Sequence, residues 1–240
     1  MKKKILAIIG ARSGSKELIN KNIRKLGNKP LMGWIISVAK KSKLINRIIV
    51  STDSVKYATI ANKFGAETPI LRPKQLAKDN SRELDFIKHM LNYLDKKENF
   101  KPDIIVRLLA TCPFQKPKDI DKLIKLILNN KYDSAAIVSK ARQHPEKALK
   151  IIGNKNKRLV SYIGNRGIDV GSNNNRQAYY PAYFRANVIC CKTNVIYENN
   201  SLTGKKVGFL IISSKYLVDI DNILDFEFAK FLIKKFKSKL

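Results

Sequence analysis

The stretch KILAIIGARSGSKELINKN (Lys4–Asn22) joins an apolar run directly to small, polar and basic residues. Its first part, KILAIIG (Lys4–Gly10), is typical of a β-strand buried on both faces, because its apolar residues are contiguous rather than alternating. The second part begins where that strand is expected to end. Because open α/β sheets bind ligands beyond the carboxyl ends of their strands, we expect this second part to face a ligand.

Segments typical of strands and helices alternate through the first half of the chain. This alternation predicts an α/β fold built on a doubly wound, mostly parallel sheet. The predicted strands are KILAIIG, RIIVSTD, DIIVRLL, DSAAIVS, FRANVICC and KKVGFLII, and the predicted helices are LMGWIISVAKKSK, SVKYATIANKFG, NSRELDFIKHMLNYLDKK, KDIDKLIKLILNN, TNVIYENN and NILDFEFAKFLIKKFK.

Three of these helices carry more detailed expectations. Asn80 and Glu83 have the spacing of a capping box, in which the first residue caps the helix and the later acid returns the hydrogen bond. Gly65 follows SVKYATIANKF and is the kind of residue that ends a helix. On the last helix we expect an apolar side formed by Ile223, Phe226, Phe231 and Leu232.

Residues 140–183 interrupt the alternation with a segment rich in glycine, asparagine and aromatic residues. Two short strands, KALKII and RLVSYI, are predicted within or beside it. We therefore expect a single domain, residues 1–240, in which approximately 140–183 is a small inserted β/loop subdomain. The insertion is a candidate dimerisation contact because its aromatic side chains need cover from solvent. These residues are Tyr179, Tyr180, Tyr183 and Phe184.

The formal net charge of +29 makes a nucleic-acid-binding protein one alternative. Only 11 of the 48 basic residues are arginine, however, and the lysines are spread along the chain rather than gathered in a tail. This distribution is typical of a solvated, lysine-rich surface, which still attracts nucleotides and acidic sugars. No apolar run is long enough to predict a membrane span, and the apolar start is better explained as a strand than as a signal peptide.

Cysteine and histidine are scarce. The cysteines Cys112, Cys190 and Cys191 show neither a disulfide framework nor the spacing of zinc ligands, which indicates a reducing, cytoplasmic location. His89 and His144 are expected to be structural or solvated. With only these two histidines, the sequence offers few candidates for a catalytic site of the Ser-His-Asp type.

The segment after the first strand predicts a phosphate-binding loop, with a solvated basic loop as the alternative. It has neither the G-x-x-x-x-G-K-[ST] nor the G-x-G-x-x-G pattern, so it is neither a P-loop nor a dinucleotide fingerprint. Glycine permits close backbone approach, hydroxyls form hydrogen bonds, and basic side chains neutralise phosphate oxygens. The residues concerned are Gly10, Arg12, Ser13, Gly14, Ser15, Lys16 and Lys21.

Five segments, in order and across nearly the whole chain, resemble the pattern of the acylneuraminate cytidylyltransferase family, the CMP-sialic acid and CMP-nonulosonate synthetases. ARSGSKELINKNIRKLGNKPLMGW (residues 11–34) resembles its A-R-x-G-S-K-x-x-x-x-K-N-(I/L) signature. VDIDNILDFEFAK (residues 218–230) resembles its D-I-D-x-x-x-D-L-x-x-A segment. The other three are RIIVSTDS (47–54), LRPKQLAKDNS (71–81) and LLATCPF (108–114), the last similar to L-L-Q-P-T-S-P-L-R.

The resemblance implies a nucleotide-diphospho-sugar transferase-like fold and a homodimeric cytidylyltransferase. Such an enzyme uses CTP, Mg²⁺ and a sugar acid, and it releases pyrophosphate. The implied catalytic residues are Arg12, Lys16, Lys21 and Asp219, and the implied nucleotide-binding residues are Ala11, Arg12, Ser13, Gly14, Ser15, Lys16, Lys21, Asn22, Arg72 and Ser81. The implied metal ligands are Asp219 and Asp221, and the implied substrate-binding residues are Lys147, Arg176, Gln177 and Arg185.

The late acidic pair agrees with a metal-binding role on physical grounds. Asp219 and Asp221 are two residues apart in a segment expected to be extended, so both side chains point to one face. Carboxylates on one face suit Mg²⁺, which keeps several waters and bridges phosphates. The alternative is that the two acids cap the helix beginning near Asn222. Asp225 is expected to be a helix residue rather than a ligand.

One segment departs from the family pattern, because Leu109-Ala110-Thr111-Cys112-Pro113 stands where the family has Q-P-T-S-P. Leu109, in place of glutamine, cannot form a hydrogen bond, which favours a less polar or differently substituted nonulosonate over sialic acid. Cys112 is expected to be a small buried substitute for serine rather than a nucleophile. A nucleotidyltransferase for another sugar acid, such as a 3-deoxy-octulosonate, or for another nucleoside triphosphate is the remaining enzyme alternative.

Overall fold

The computed structural model describes residues 2–154, 156–164 and 180–236. The strands in this part of the chain are β1 (Ile5–Gly10), β2 (Lys25–Leu26), β3 (Lys29–Pro30), β4 (Arg47–Ser51), β5 (Ile104–Leu109), β6 (Ser134–Lys140), β7 (Leu149–Ile152), β8 (Arg158–Ser161), β9 (Tyr183–Lys192) and β10 (Val207–Ile212). Six of them form the central sheet, in the order β10-β6-β9-β5-β1-β4. All of its neighbouring pairs are parallel except those of β9, which runs antiparallel between β5 and β6. The predicted doubly wound, mostly parallel sheet is confirmed.

Helices cover both faces of this sheet. The α-helices in the described residues are α1 (Leu31–Lys40), α2 (Val55–Lys63), α3 (Glu83–Glu98), α4 (Pro117–Leu128), α5 (Thr193–Glu198) and α6 (Ile223–Phe236). Buried residues of α1, α2 and α4 pack on one face, and those of α3 and α5 pack on the other. In β1, Ile5, Ala7 and Ile9 belong to the first core, whereas Leu6 and Ile8 belong to the second. This two-sided burial is the reason that the opening run is apolar throughout.

A third apolar cluster fixes the late acidic segment. Ile220 is fully buried in this cluster, together with Phe226 of α6 and Phe114 from the loop after β5. The backbone N–H of Ile220 also donates to the carbonyl of Thr111 at 3.0 Å. The acids on either side of Ile220 are therefore held against the carboxyl end of β5.

The ends of two helices test the expectations about capping. The capping box expected from Asn80 and Glu83 is wrong, because α3 begins at Glu83, its N-cap is Arg82 and no side chain caps it. The hydroxyl of the intervening Ser81 instead donates to a backbone carbonyl of the preceding loop at 3.0 Å, which closes that loop on itself. Gly65 follows the end of α2 as expected, with a φ of 91° that glycine adopts without strain.

The apolar side of α6 is only partly as expected. Phe226 and Leu232 are buried, but Ile223 and Phe231 are 45% and 55% exposed. The buried position between Phe226 and Leu232 belongs to Ala229, because residues three apart on a helix share a face. None of the helices in the described residues combines the length and the apolarity that crossing a membrane requires.

The described part of the insertion forms an antiparallel hairpin of β7 and β8, which confirms the two short strands predicted there. Leu149 and Ile151 of β7 share one face with Leu159 of β8, and these residues are 43%, 66% and 49% exposed. Of the aromatic residues expected to need cover, Tyr179 lies outside the described residues, and Tyr180, Tyr183 and Phe184 are all exposed.

Candidate active site

A cavity of about 630 Å³ lies at the carboxyl ends of β1 and β5, bounded by the loop after β1 and by the loop before α3. Open α/β sheets bind their ligands at this edge. The cavity brings together residues from four separate parts of the chain. Of the residues predicted to bind the nucleotide or the metal, those that line it are Arg12, Ser15, Lys16, Lys21, Asn22, Arg72, Ser81 and Asp221.

Hydrogen bonds anchor the opening loop to β4 and to the turn that follows β4. The N–H of Ala11 donates to the carbonyl of Ser51 at 3.0 Å. The N–H and the hydroxyl of Ser13 donate to the two carboxylate oxygens of Asp53, each at 2.8 Å. Ala11 and Ser13 therefore position the loop and do not line the cavity. Gly14 does not line it either, and a Cβ there would meet no protein atom within 4 Å.

Arg72 forms part of the buried wall of the cavity. It is 6% exposed, and it donates to the hydroxyl and the carbonyl of Ser51 at 3.0 and 2.6 Å. Its guanidinium lies 3.9 Å from the ring centre of Phe86. Gly10 makes this arrangement possible, because a Cβ there would lie 2.7 Å from the Phe86 ring. Burial lowers the pKa of Arg72 to about 10, so the side chain stays charged at neutral pH.

Arg12 and Lys16 share one carboxylate at the cavity. Arg12 Nη2 and Lys16 Nζ lie 2.6 and 2.5 Å from the two oxygens of Asp79. Arg12 Nη1 also donates to the carbonyl of Ala77 at 3.3 Å. Hydrogen bonds from Lys16, and then from Arg12, lower the pKa of the Asp79 carboxyl below its ordinary value. The two cations are therefore already arranged around a pair of anionic oxygens, as a phosphate group requires.

The opening loop and the late acidic segment meet in the same cavity. Asn22 is 5% exposed, and its Nδ2 donates to the carbonyl of Arg12 at 3.0 Å. The neighbouring Lys21 places its Nζ 2.9 Å from Asp221 Oδ1. A cation from one end of the chain and a carboxylate from the other thus form an ion pair inside the proposed site.

The two acids of the late segment have different surroundings. Asp221 lines the cavity, whereas Asp219 Oδ2 accepts a hydrogen bond from Asn187 Nδ2 at 2.6 Å. Asp219 Oδ1 is buried without a hydrogen-bond partner, which is costly unless a cation meets it, and a carboxylate oxygen of this kind fits Mg²⁺. The alternative was that Asp219 and Asp221 cap the following helix. The acid that forms such hydrogen bonds is Asp225, because its Oδ2 accepts the N–H groups of Asp221 and Asn222 at 3.0 and 3.1 Å.

The residues predicted to bind the sugar acid are less closely assembled. Arg185 lines a smaller cavity of about 280 Å³. Glu83 lines both this cavity and the larger one, so the two adjoin. Lys147 is exposed on the turn before β7 and lines neither of these cavities. Arg176 and Gln177 lie outside the described residues.

Sequence reasoning missed several residues of the main cavity. Asp79 stands inside the segment LRPKQLAKDNS, and its position beside basic residues of a recognised motif was a usable signal. Phe86 and Glu83 had no such signal, because an apolar residue on an amphipathic helix is expected in the core and an acid near its start is expected to stabilise the helix. The sequence pointed to Thr111, which lines the cavity, only because this residue follows the end of a predicted strand.

Cys112 has the properties of a structural residue. It is 1% exposed, and Asn187 Nδ2 lies 3.3 Å from its Sγ. Burial, followed by the nearby charge of Asp219, raises the pKa of the thiol far above its ordinary value, so the thiol stays protonated. A protonated, buried thiol is not a nucleophile, in agreement with its expected role.

Solved structures of other proteins share this α/β fold. A structure of CMP:2-keto-3-deoxy-manno-octonic acid synthetase complexed with CTP matches with a TM-score of 0.70, covering 97% of this chain and 99% of that chain, at 14% identity. A 4-diphosphocytidyl-2C-methyl-D-erythritol synthase from Anaerococcus prevotii matches with a TM-score of 0.65, covering 98% and 100%, at 15% identity. At these identities the likeness shows a shared fold.

Sequence comparison identifies the family. Residues 6–206 match the profile of the family described as Cytidylyltransferase, and the chain belongs to this family. Post-translational flagellin modification protein B of Campylobacter coli is 32% identical over 234 residues, which cover 96% of this chain and 95% of the relative. A CMP-N,N'-diacetyllegionaminic acid synthase of Campylobacter jejuni is 34% identical, covering 95% and 94%. An N-acylneuraminate cytidylyltransferase of Escherichia coli is 32% identical, covering 95% of this chain and 52% of the relative. The resemblance seen in the motifs is confirmed.

Proposed function

We propose that the protein uses CTP to activate a nonulosonic, sialic-acid-like sugar acid, giving a CMP-sugar and pyrophosphate. The observation that carries this proposal is the cavity at the strand ends, in which Arg12, Lys16 and Lys21 meet the late acidic segment. Relatives named as CMP-N,N'-diacetyllegionaminic acid synthase and N-acylneuraminate cytidylyltransferase support this class of substrate.

The opening loop is proposed to bind the triphosphate through Arg12, Ser15 and Lys16. The phosphate oxygens would replace the Asp79 carboxylate on Arg12 and Lys16, because a triphosphate carries more negative charge than one carboxylate. The buried end of the cavity supports a position for the cytosine base. The residues proposed on that side are Asn22 and Arg72, and Ser81 is proposed to close the same pocket.

Asp219 and Asp221 are the proposed ligands of Mg²⁺. The unpartnered Oδ1 of Asp219 and the cavity-lining carboxylate of Asp221 are the hard oxygen donors that this ion prefers. Bound there, Mg²⁺ would neutralise part of the charge on the phosphate oxygens. Lys21 now contacts Asp221 and is placed to contact a phosphate oxygen when nucleotide is present.

The proposed reaction is a displacement at the α-phosphorus of CTP. The oxygen of the anomeric hydroxyl forms a bond to this phosphorus, while the bond from the phosphorus to the bridging oxygen breaks and pyrophosphate leaves with the electron pair. The hydroxyl proton passes to a base at the site, for which Asp219 or a water molecule is the proposed acceptor. Arg12, Lys16 and Lys21 stabilise the negative charge that develops on the phosphate oxygens.

The sugar acid is proposed to bind between the main cavity and the insertion. Arg185 is exposed in the adjoining smaller cavity, where its guanidinium is proposed to form a two-pronged contact with a carboxylate. Leu109 gives the main cavity an apolar wall, which supports a sugar that is less polar or differently substituted at that point. Lys147, Arg176 and Gln177 are further proposed contacts.

A homodimer formed through the insertion is part of the proposal. The hairpin exposes the apolar face of Leu149, Ile151 and Leu159, and exposed apolar patches commonly mark interfaces. The reducing, cytoplasmic location is also proposed, because the three cysteines are free and buried.

A pyrophosphate-release assay tests the function. Purified protein is incubated with Mg²⁺, each of the common nucleoside triphosphates, and N-acetylneuraminate, N,N'-diacetyllegionaminate or a 3-deoxy-octulosonate. We expect release with CTP and a nonulosonate, and none when CTP, Mg²⁺ or the sugar acid is omitted. Turnover restricted to the octulosonate or to another triphosphate would favour the enzyme alternative. No turnover with CTP and any sugar acid would contradict the proposal.

A further inference from the structure

Arg107 is a buried charge to which the proposed reaction assigns no role. It lies within β5, is 7% exposed, and points to the same face of the sheet as Leu109, two residues later. Burying a guanidinium is costly unless it is paired and hydrogen-bonded. Its Nη1 donates to the carbonyl of Asn187 at 3.0 Å, and its Nε lies 3.2 Å from Glu83 Oε1 without hydrogen-bond geometry.

Asn187 occupies an irregularity in β9. The pairing of β9 with β6 shifts register between Ala136 and Val138, and its pairing with β5 ends at Val188. Asn187 therefore lies just beyond the regular ladder with β5, and its φ of 59° is in the left-handed region. Irregularities of this kind change the direction of a side chain, and here the carbonyl of the irregular residue is held by Arg107.

The side chain of Asn187 contacts the proposed metal ligand. Its Nδ2 donates to Asp219 Oδ2 at 2.6 Å and to Cys112 Sγ at 3.3 Å, so both amide hydrogens are engaged. These contacts fix the plane of the amide and one oxygen of the Asp219 carboxylate. The other oxygen, Oδ1, is left buried and without a hydrogen-bond partner.

We propose that Arg107 is a positioning residue for the metal site. By holding the Asn187 carbonyl, it keeps the amide of that residue directed at Asp219, and Asp219 Oδ1 is thereby presented to a divalent cation. Glu83, beside the guanidinium, balances its charge. The inference rests on the proposed function in one respect, which is that Asp219 binds the cation. Outer partners of metal ligands typically change metal affinity by about 10- to 100-fold.

The test compares Arg107→Met, Arg107→Lys and Asn187→Gly with a matched control, Arg47→Met. Methionine keeps an apolar stem without any donor, and lysine keeps a charged donor. Glycine adopts a φ near 59° without strain, so Asn187→Gly removes the amide and leaves the backbone able to fold. Arg47 is an arginine of β4 that pairs with Glu67 and Glu98 and lines neither cavity, so its loss reports on destabilisation alone.

Two readouts separate positioning from general stability. The first is a titration with MnCl₂, followed by electron paramagnetic resonance, with no nucleotide present. The second is the Mg²⁺ concentration for half-maximal turnover at saturating CTP. For Arg107→Met and Asn187→Gly we expect Mn²⁺ affinity to fall by about 10- to 100-fold and the Mg²⁺ requirement to rise by a similar factor. Arg107→Lys is expected to lie between these variants and the wild type, and Arg47→Met is expected to bind Mn²⁺ like the wild type.

The outcomes distinguish this inference from the proposed function. The role of Arg107 is overturned if Arg107→Met binds Mn²⁺ as tightly as the unchanged protein. It is also overturned if Arg47→Met loses as much Mn²⁺ affinity as Arg107→Met, or if the unchanged protein binds no Mn²⁺. If Arg107→Met does not fold, the Mn²⁺ affinities of Asn187→Gly and Arg107→Lys are compared with that of the unchanged protein in the same way. A wild type that binds Mn²⁺ but activates no sugar acid contradicts the proposed function, and Arg107 is then judged by Mn²⁺ binding alone.

Discussion

The proposed nucleotide side and the proposed sugar side of the site differ in how completely a single chain forms them. On the nucleotide side, Arg72 and Asn22 are 6% and 5% exposed and are held by hydrogen bonds to neighbouring segments. On the sugar side, Arg185 and Lys147 are exposed, and the nearby hairpin presents apolar residues such as Ile151 to solvent. The sheet thus holds the residues of the proposed nucleotide side in place, whereas those of the proposed sugar side are open to solvent, where we propose that a second copy of the chain binds.

The largest effect is expected on the nucleotide side. Lys21→Met removes a cation that lines the cavity, and the loss of one charge-assisted donor at a reacting group typically costs about 10²- to 10³-fold in kcat. Steady-state pyrophosphate release measures this effect. Lys25→Met is the matched control, because Lys25 is exposed on β2 outside the cavity. A loss of less than about threefold in Lys21→Met would show that this side is not the site of chemistry.

The next effect concerns the sugar side. Ile151→Asp places a charge in the apolar face of the hairpin, and the loss of a buried interface contact of about 2 kcal/mol raises the dimer dissociation constant by about 30-fold. Sedimentation across a concentration series measures it. Phe209→Asp is the control, because Phe209 is 62% exposed on β10, away from the insertion. A wild-type protein that sediments as a monomer at micromolar concentration would contradict the proposed dimer, and with it the proposal that a second copy completes the sugar side.

A smaller effect tests selectivity at the border between the two sides. Leu109→Gln adds a hydrogen-bonding group to the cavity wall, and one such bond changes kcat/KM by about 2- to 10-fold. We expect the ratio of kcat/KM between N-acetylneuraminate and a less polar nonulosonate to shift toward N-acetylneuraminate, while the KM for CTP stays within about twofold. A change in the KM for CTP without a change in the sugar preference would place Leu109 on the nucleotide side instead.

The smallest effect concerns Asp79, whose carboxylate pairs with the two cations that are proposed to bind phosphate. Asp79→Asn removes the partner of Arg12 and Lys16, and because an exposed ion pair competes only weakly, CTP should bind about 1.5- to 5-fold more tightly. Calorimetric titration with CTP, without sugar acid, measures the affinity. Asp95→Asn is the control, because Asp95 contacts only Lys101 among the ion pairs of the described residues. Weaker binding in Asp79→Asn would mean that Asp79 takes part in holding the nucleotide.

Much of the nucleotide side could be predicted from sequence because its signals are local. The contiguous apolar residues of β1 predict burial on both faces, and the small and basic residues after Gly10 predict a binding cavity at the strand end, where a cavity is found. The roles of Ala11 and Ser13 could not be separated from those of their neighbours, because which loop residues turn inward depends on hydrogen bonds to Ser51 and Asp53. These partners lie about forty residues away, beyond the reach of local patterns.

The remaining failures have both local and long-range causes. The capping box at Asn80 was wrong because Ser81 forms its hydrogen bonds within the preceding loop. The irregularity at Asn187 follows from how β9 pairs with two neighbouring strands at once, which no local pattern records. The sugar-binding residues Arg176 and Gln177 stay predictions, because they fall outside the described residues.

The antiparallel strand β9 runs from the insertion to the edge of the sheet where the proposed site lies. It begins at Tyr183 beside the insertion, passes Arg185 and Asn187, and ends in the core next to the buried Cys191. The proposed contact with a second copy thus lies close in sequence to Asn187, whose amide contacts Asp219. Specific activity should therefore depend on protein concentration, falling on dilution even though one chain alone lines the nucleotide cavity.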